Sequence, residues 1–130
     1  MAETAFSLYE RMGGEATIKE LVEAFYPRVQ AHPDLAPLFP EDIQPVMEKQ
    51  TLFLTQFLGG PGLYSQKHGH PMLRARHLPF EVTPTRAEAW LQCMYEALDE
   101  IQLTGIVREE LWGRLLATAR HMINTPEPPS

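Results

Sequence analysis

Cysteine is nearly missing from this chain: Cys93 stands alone, so no intramolecular disulfide can staple the fold. A single thiol fits reducing, cytoplasmic surroundings. Positive charge is also scarce, with 11 Lys and Arg against 17 Asp and Glu, for a net charge of −6. Nucleic acid and anionic membranes reward a basic face, so neither is expected as a partner. No apolar run is long enough to span a bilayer. The N-terminus carries Glu3 early and has no continuous apolar stretch, so no signal peptide is expected there. There is no internal repeat and no flavin or nicotinamide motif, and no segment alternates convincingly with period two. The last absence argues against sheets and for an all-α chain.

What the chain does have is apolar spacing. Its 130 residues are 44% hydrophobic, enough for one domain around one core. Ile18, Leu21, Val22, Phe25, Tyr26 and Val29 form one helical stripe. Val46, Gln50, Phe53, Leu54 and Phe57 form a second. Ala87, Trp90, Leu91, Met94, Leu98 and Ile101 form a third, and Val107, Leu111, Leu115, Thr118 and Met122 a fourth. Punctuation falls between them. Gly13-Gly14 separates a short first helix from the second, His32-Pro33 ends the second, and Thr83-Pro84 caps and opens the next. Gly105 marks the last break. Pro27, inside a stripe, predicts a kink or local irregularity. The domain is expected to cover 1–124, with 125–130 as a flexible, Pro-rich tail.

Between Gly59 and Thr83 lies a long linker with three prolines and three of the five histidines. Connections of that length inside a compact domain are functional or disordered, and the density of His, Arg and Tyr favours function. The run from Gly69 to Phe80 ends in His77, one residue after Arg76 and two before Pro79. A neutral imidazole there is a ready metal ligand, and Arg74 and Arg76 suit a dianionic group beside it. Pro79 stops a helix just beyond. His68 and His70 form a weaker metal pair, lacking a cysteine or a third ligand nearby. His32 reads as a solvated helix end and His121 as a surface or helix C-terminal charge.

Three residues break the apolar stripes by polarity: Tyr26, Gln50 and Trp90. A buried donor without a partner costs roughly 1–3 kcal/mol, so a polar ligand in a shared cavity would satisfy all three. Each also has an ordinary reading. A buried tyrosine commonly reaches a backbone carbonyl, a tryptophan serves as core, and a glutamine makes a structural hydrogen bond.

These residues, with Gly13-Gly14, Phe25-Tyr26, Pro37-Leu38-Phe39, Phe53-Leu54-Thr55-Gln56, Gly59-Gly60-Pro61 and the run His68 to Pro79, resemble the truncated haemoglobins. The run His70 to His77 is the most specific part, and Trp90 points to group II. The resemblance covers about Leu8 to Asn124. It implies an all-α, two-on-two helical sandwich around one haem b, with the histidine-bearing helix cut to about one turn after an extended loop. It implies that His77 is the proximal iron ligand, its Nδ1–H held by a carbonyl near Leu73. Tyr26, Gln50 and Trp90 become the distal residues. Phe39 packs on the haem, and Val46, Phe53, Leu54, Leu73, Val82 and Met94 become pocket walls. Tyr64, Arg74 and Arg76 reach the propionates. Val46 falls where ordinary globins place a distal histidine and cannot donate a hydrogen bond, which leaves ligand stabilisation to the other three.

The function expected from the resemblance is tight, reversible binding of O2 and other diatomic ligands. Slow release suits redox chemistry or detoxification of nitric oxide or peroxide better than delivery, and turnover would need an outside reductase. A plain O2 carrier and a haem-free helical interaction module are the alternatives. Both monomer and homodimer remain open.

Overall fold

The computed structural model describes residues 6–70, 72, 75, 77 and 81–127. Among these, helices and turns account for all regular structure. Helix α1 spans Leu8–Arg11, α2 Gly14–Ala31, α3 Gln44–Phe57, α4 Leu63–His68, α5 Pro84–Glu100 and α6 Gly105–His121, with a 3-10 turn at Ala36–Leu38. Ala75 and His77 also have helical backbone. Helix α2 packs on both α3 and α5, while α6 lies on α5, the two-on-two arrangement that the resemblance implies. No helix among the described residues is long and apolar enough to cross a membrane.

Each of the four apolar stripes follows one of the four long helices, with Ile101 and Met122 just past the ends of α5 and α6. Ile18, Leu21, Phe25 and Val29 of α2 are almost fully buried, as are Leu54, Met94, Leu98 and Leu111 from α3, α5 and α6. Each such side chain contributes roughly 1.5–3 kcal/mol when removed from water. Local chemistry sets the ends. Ser7 and Glu10 form a reciprocal capping box on α1. Thr83 accepts a hydrogen bond from the Arg86 N–H at 3.1 Å, with Pro84 opening α5. Pro27 does not interrupt α2, which runs on to Ala31.

Charges on the rims join elements distant in sequence. Arg11 of α1 meets Glu110 of α6 at 2.9 Å. Arg28 of α2 pairs with Glu96 and Glu100 of α5. Arg108 pairs with Asp99 at 2.7 Å and lies over the Tyr95 ring.

The linker is partly ordered by α4, whose hydrogen bonds to α3 run through the Gln56 side chain. The Gln56 carbonyl oxygen accepts from the Ser65 N–H at 2.8 Å, and the Gln56 amide donates to Ser65 Oγ at 2.7 Å. Before it, the chain turns at Gly59 and Gly60. A methyl at Gly60 would sit 2.8 Å from the Thr55 carbonyl oxygen and 2.9 Å from the Tyr9 ring. This close approach docks α1 onto the end of α3, where the Tyr9 N–H donates to the Leu58 carbonyl at 2.8 Å.

Candidate functional site

Tyr26 follows Val22 by four residues and precedes Val29 by three, so helical geometry turns it inward with them. It is 3% exposed. Its ring meets Phe25 edge-on at 4.9 Å and Phe39 at 6.1 Å. Phe25 in turn meets Trp90 of α5 at 5.2 Å. One aromatic chain therefore runs from the 3-10 turn through α2 to α5. Phe39 enters it at the end of that turn, where its N–H donates to the Ala36 carbonyl. Burial pushes the Tyr26 phenol well above its ordinary pKa, because desolvation penalises the anion. The hydroxyl therefore stays a neutral donor.

Helix α3 contributes a second wall. Val46, Gln50, Phe53 and Leu54 follow the i, i+4, i+7, i+8 pattern of one helical face. Leu54 is buried, and Val46, Gln50 and Phe53 are half-buried. Phe53 stacks on Phe57 at 5.3 Å and receives Tyr64 of α4 edge-on at 5.8 Å. Tyr64 is buried, with the His68 ring 5.1 Å away. Met94 is buried on α5 one turn after the half-buried Trp90.

Among the described residues, no side-chain hydrogen bond engages Tyr26, Gln50 or Trp90. Nor is any side-chain nitrogen or oxygen sealed from solvent without a partner. The polar ends of these three residues therefore face accessible space. Phe39, Val46, Phe53 and Trp90 pack on the core yet stay only partly covered.

His77 is half-buried. Its carbonyl accepts a hydrogen bond from the Asn124 amide at 3.1 Å. Asn124 Oδ1 accepts from the Val82 N–H at 2.9 Å, and the Val82 carbonyl accepts from the Asn124 and Thr125 N–H groups at 2.9 and 3.2 Å. Sequence reasoning missed Asn124, Gln56 and Ser65 as organisers of the site. Thr125 and Glu127, placed in a tail by composition, bond back to Val82 and Thr85. Leu73, Arg74 and Arg76 lie outside the described residues. His70 Nδ1 accepts from the Met72 N–H, and His32 Nδ1 from the Asp34 N–H. Among the described residues, no three His, Cys, Asp or Glu side chains are grouped to hold a metal ion.

Comparison with known proteins bears directly on this site. The bacterial-like globin family model matches residues 7–124. The chain is 54% identical to group 2 truncated hemoglobin YjbI of Bacillus subtilis, over 98% of this chain and 96% of that one. It superposes on the group II truncated hemoglobin of Bacillus anthracis with a TM-score of 0.95 at 53% identity, covering 98% of both chains. Variants of that protein changed at Tyr26 and at Trp90 have also been solved. The truncated oxygen-avid haemoglobin of B. subtilis gives a TM-score of 0.89 at 55% identity, covering 92% of this chain and all of that one. By family model, by sequence and by fold, this chain belongs to the bacterial-like globins and, within them, to the group II truncated haemoglobins.

Proposed function

We propose that this globin holds haem b through His77, binds O2 tightly and releases it slowly, and uses the bound ligand in redox chemistry rather than delivery. Haem binding and oxygen binding themselves belong to the family. The observation that carries the finer reading is the set of three polar side chains, Tyr26, Gln50 and Trp90, without hydrogen-bond partners among the described residues. They rise from α2, α3 and α5 beside partly covered aromatic walls.

The residues fit the group. Phe39, Val46, Phe53 and Val82 offer partly covered apolar surface to a flat ring, with Leu54 and Met94 buried on α3 and α5, and a metal held by His77 would take its other donors from the porphyrin. Tyr64, Arg74 and Arg76 are the groups proposed to meet its carboxylates. When bound, haem supplies the iron at which a diatomic ligand sits and its electrons are exchanged. The chain's own part is electrostatic. Tyr26 O–H, the Gln50 amide and Trp90 N–H are donors fixed before the ligand arrives, so they stabilise negative charge on it without reorganising. Val46 has no donor, so it leaves that task to them. Apolar walls keep water out, which strengthens each of these bonds. Catalytic turnover would draw electrons from a separate reductase. The lone, buried thiol of Cys93 suits a cytoplasmic setting.

Oxygen avidity, stated of the B. subtilis relative, supports the tight-binding reading. The test is to purify the protein with haem, record its absorption and O2 dissociation, and repeat with His77→Gly. The expected wild type shows an intense Soret band and slow O2 release, and the variant fails to retain haem stably. Steady-state turnover with nitric oxide or peroxide and a reductant is expected above the rate of free haem. Full haem retention with an unchanged spectrum in His77→Gly would remove the central assignment, and rapid O2 release by wild type would favour a plain carrier.

A further inference from the structure

We propose that Asn124 is a positioning residue for His77, so that the end of the last helix sets the aim of the iron-binding imidazole. The inference rests on His77 as the iron ligand, as proposed above. Asn124 joins both ends of the segment from 77 to 82 with one planar group. Its Nδ2 donates to the His77 carbonyl at 3.1 Å, and its Oδ1 accepts the Val82 N–H at 2.9 Å.

The orientation of the amide follows from its neighbours. Oδ1 accepts from the Val82 N–H and also from the Thr125 hydroxyl at 2.7 Å. The Val82 N–H can only donate and the His77 carbonyl can only accept, so the oxygen must face the first and the NH2 the second. The backbone reinforces the side chain, since the Val82 carbonyl accepts from both the Asn124 and Thr125 N–H groups. Three residues on, the Glu127 carboxylate accepts from the Thr85 N–H in the first turn of α5. Residues 124–127 therefore form a strap that bonds to His77, Val82 and Thr85. The strap is anchored just beyond α6, where the C-cap residue Met122 is buried.

A bond to the His77 carbonyl restricts ψ at His77, and with it the direction in which Cβ carries the ring. Outer partners of metal ligands commonly change metal affinity by 10–100-fold when removed. This partner holds the ligand's backbone rather than its ring nitrogen, so about three- to tenfold is expected.

Asn124→Asp keeps an acceptor for Val82 and Thr125 but removes the donor to His77. Asn124→Leu removes both. The purified ferrous holoprotein of each is read by the iron–histidine stretching band in resonance Raman and by the rate of haem transfer to excess apomyoglobin. Both variants are expected to shift or broaden the band and to lose haem about three- to tenfold faster than wild type. A shift in Asn124→Leu alone means that Asn124 merely fastens Val82, and overturns the proposal. His77→Gly is run alongside. If it keeps the band, the assignment of His77 falls and this inference with it. If the band depends on His77 yet stays unmoved in both Asn124 variants, the positioning role alone falls.

Discussion

Removing the Tyr26 hydroxyl separates ligand stabilisation from packing. The ring contacts with Phe25 and Phe39 belong to carbon atoms that Tyr26→Phe retains. The hydroxyl has no hydrogen-bond partner among the described residues, so its loss should change apoprotein stability by less than about 1 kcal/mol. Its effect on ligand should be much larger. A bond from a neutral donor to a ligand bearing negative charge contributes roughly 1.5–3 kcal/mol, which is about a tenfold to 150-fold faster O2 dissociation. The donor, already neutral at neutral pH, persists further into alkaline pH because burial raises the phenol pKa. The sign is that of an acid with a raised folded pKa: its stabilisation is complete below the ordinary tyrosine range and is lost as pH rises beyond it. The assay is stopped-flow replacement of O2 by carbon monoxide in the ferrous protein, with melting curves as a packing control. Trp90→Phe and the double variant complete a cycle. Phe25 touches both rings, so the two effects should not simply add. An unchanged dissociation rate in Tyr26→Phe, with melting also unchanged, would sink the distal-donor argument.

Two further outcomes test the scaffold. Gly60→Ala should lower stability by about 1–3 kcal/mol, because its methyl would meet the Thr55 carbonyl oxygen and the packed Tyr9 ring at under 3 Å; a urea titration with an unmoved midpoint would contradict this. Glu110 and Glu127 both have carboxyl groups held below the ordinary range, the first mainly by its hydrogen bond to Arg11, the second by Thr85. Their stabilisation is present above the ordinary carboxylate pKa and is lost as pH falls through the lowered folded values. Glu110→Gln should therefore flatten the acid limb of a stability-against-pH curve, while an equally steep limb would show that its pairs with Arg11 and with Arg114, 3.0 Å away on α6, contribute nothing.

The helices could be read from the sequence because each buries one stripe and ends on local chemistry. Thr83-Pro84 and His32-Pro33 mark a start and an end within two residues. Tyr26, Gln50 and Trp90 could be read for the opposite reason, since each interrupts an apolar stripe with a donor. Asn124 could not. It bonds His77 and Val82, 47 and 42 residues away, and locally it looks like any polar residue after a helix. Composition alone reads 125–130 as a Pro-rich tail, yet Thr125 and Glu127 bond to Val82 and Thr85, which no local composition encodes. Helix α4 is only six residues long, too short to show a period. Its placement depends on Gln56, whose side chain lies next to Ser65 only after the chain has turned at Gly59 and Gly60.

Tyr26, Gln50 and Trp90 sit on three different helices, and none of their polar groups ties those helices together among the described residues. The fold rests on other contacts: buried apolar side chains, Gln56 with Ser65, and the Arg28 pairs. Chemical preference and architecture can therefore vary independently in this protein. Each of these polar groups can be exchanged singly without breaking a hydrogen bond between helices, so the donors proposed to face the ligand can change while the scaffold stays.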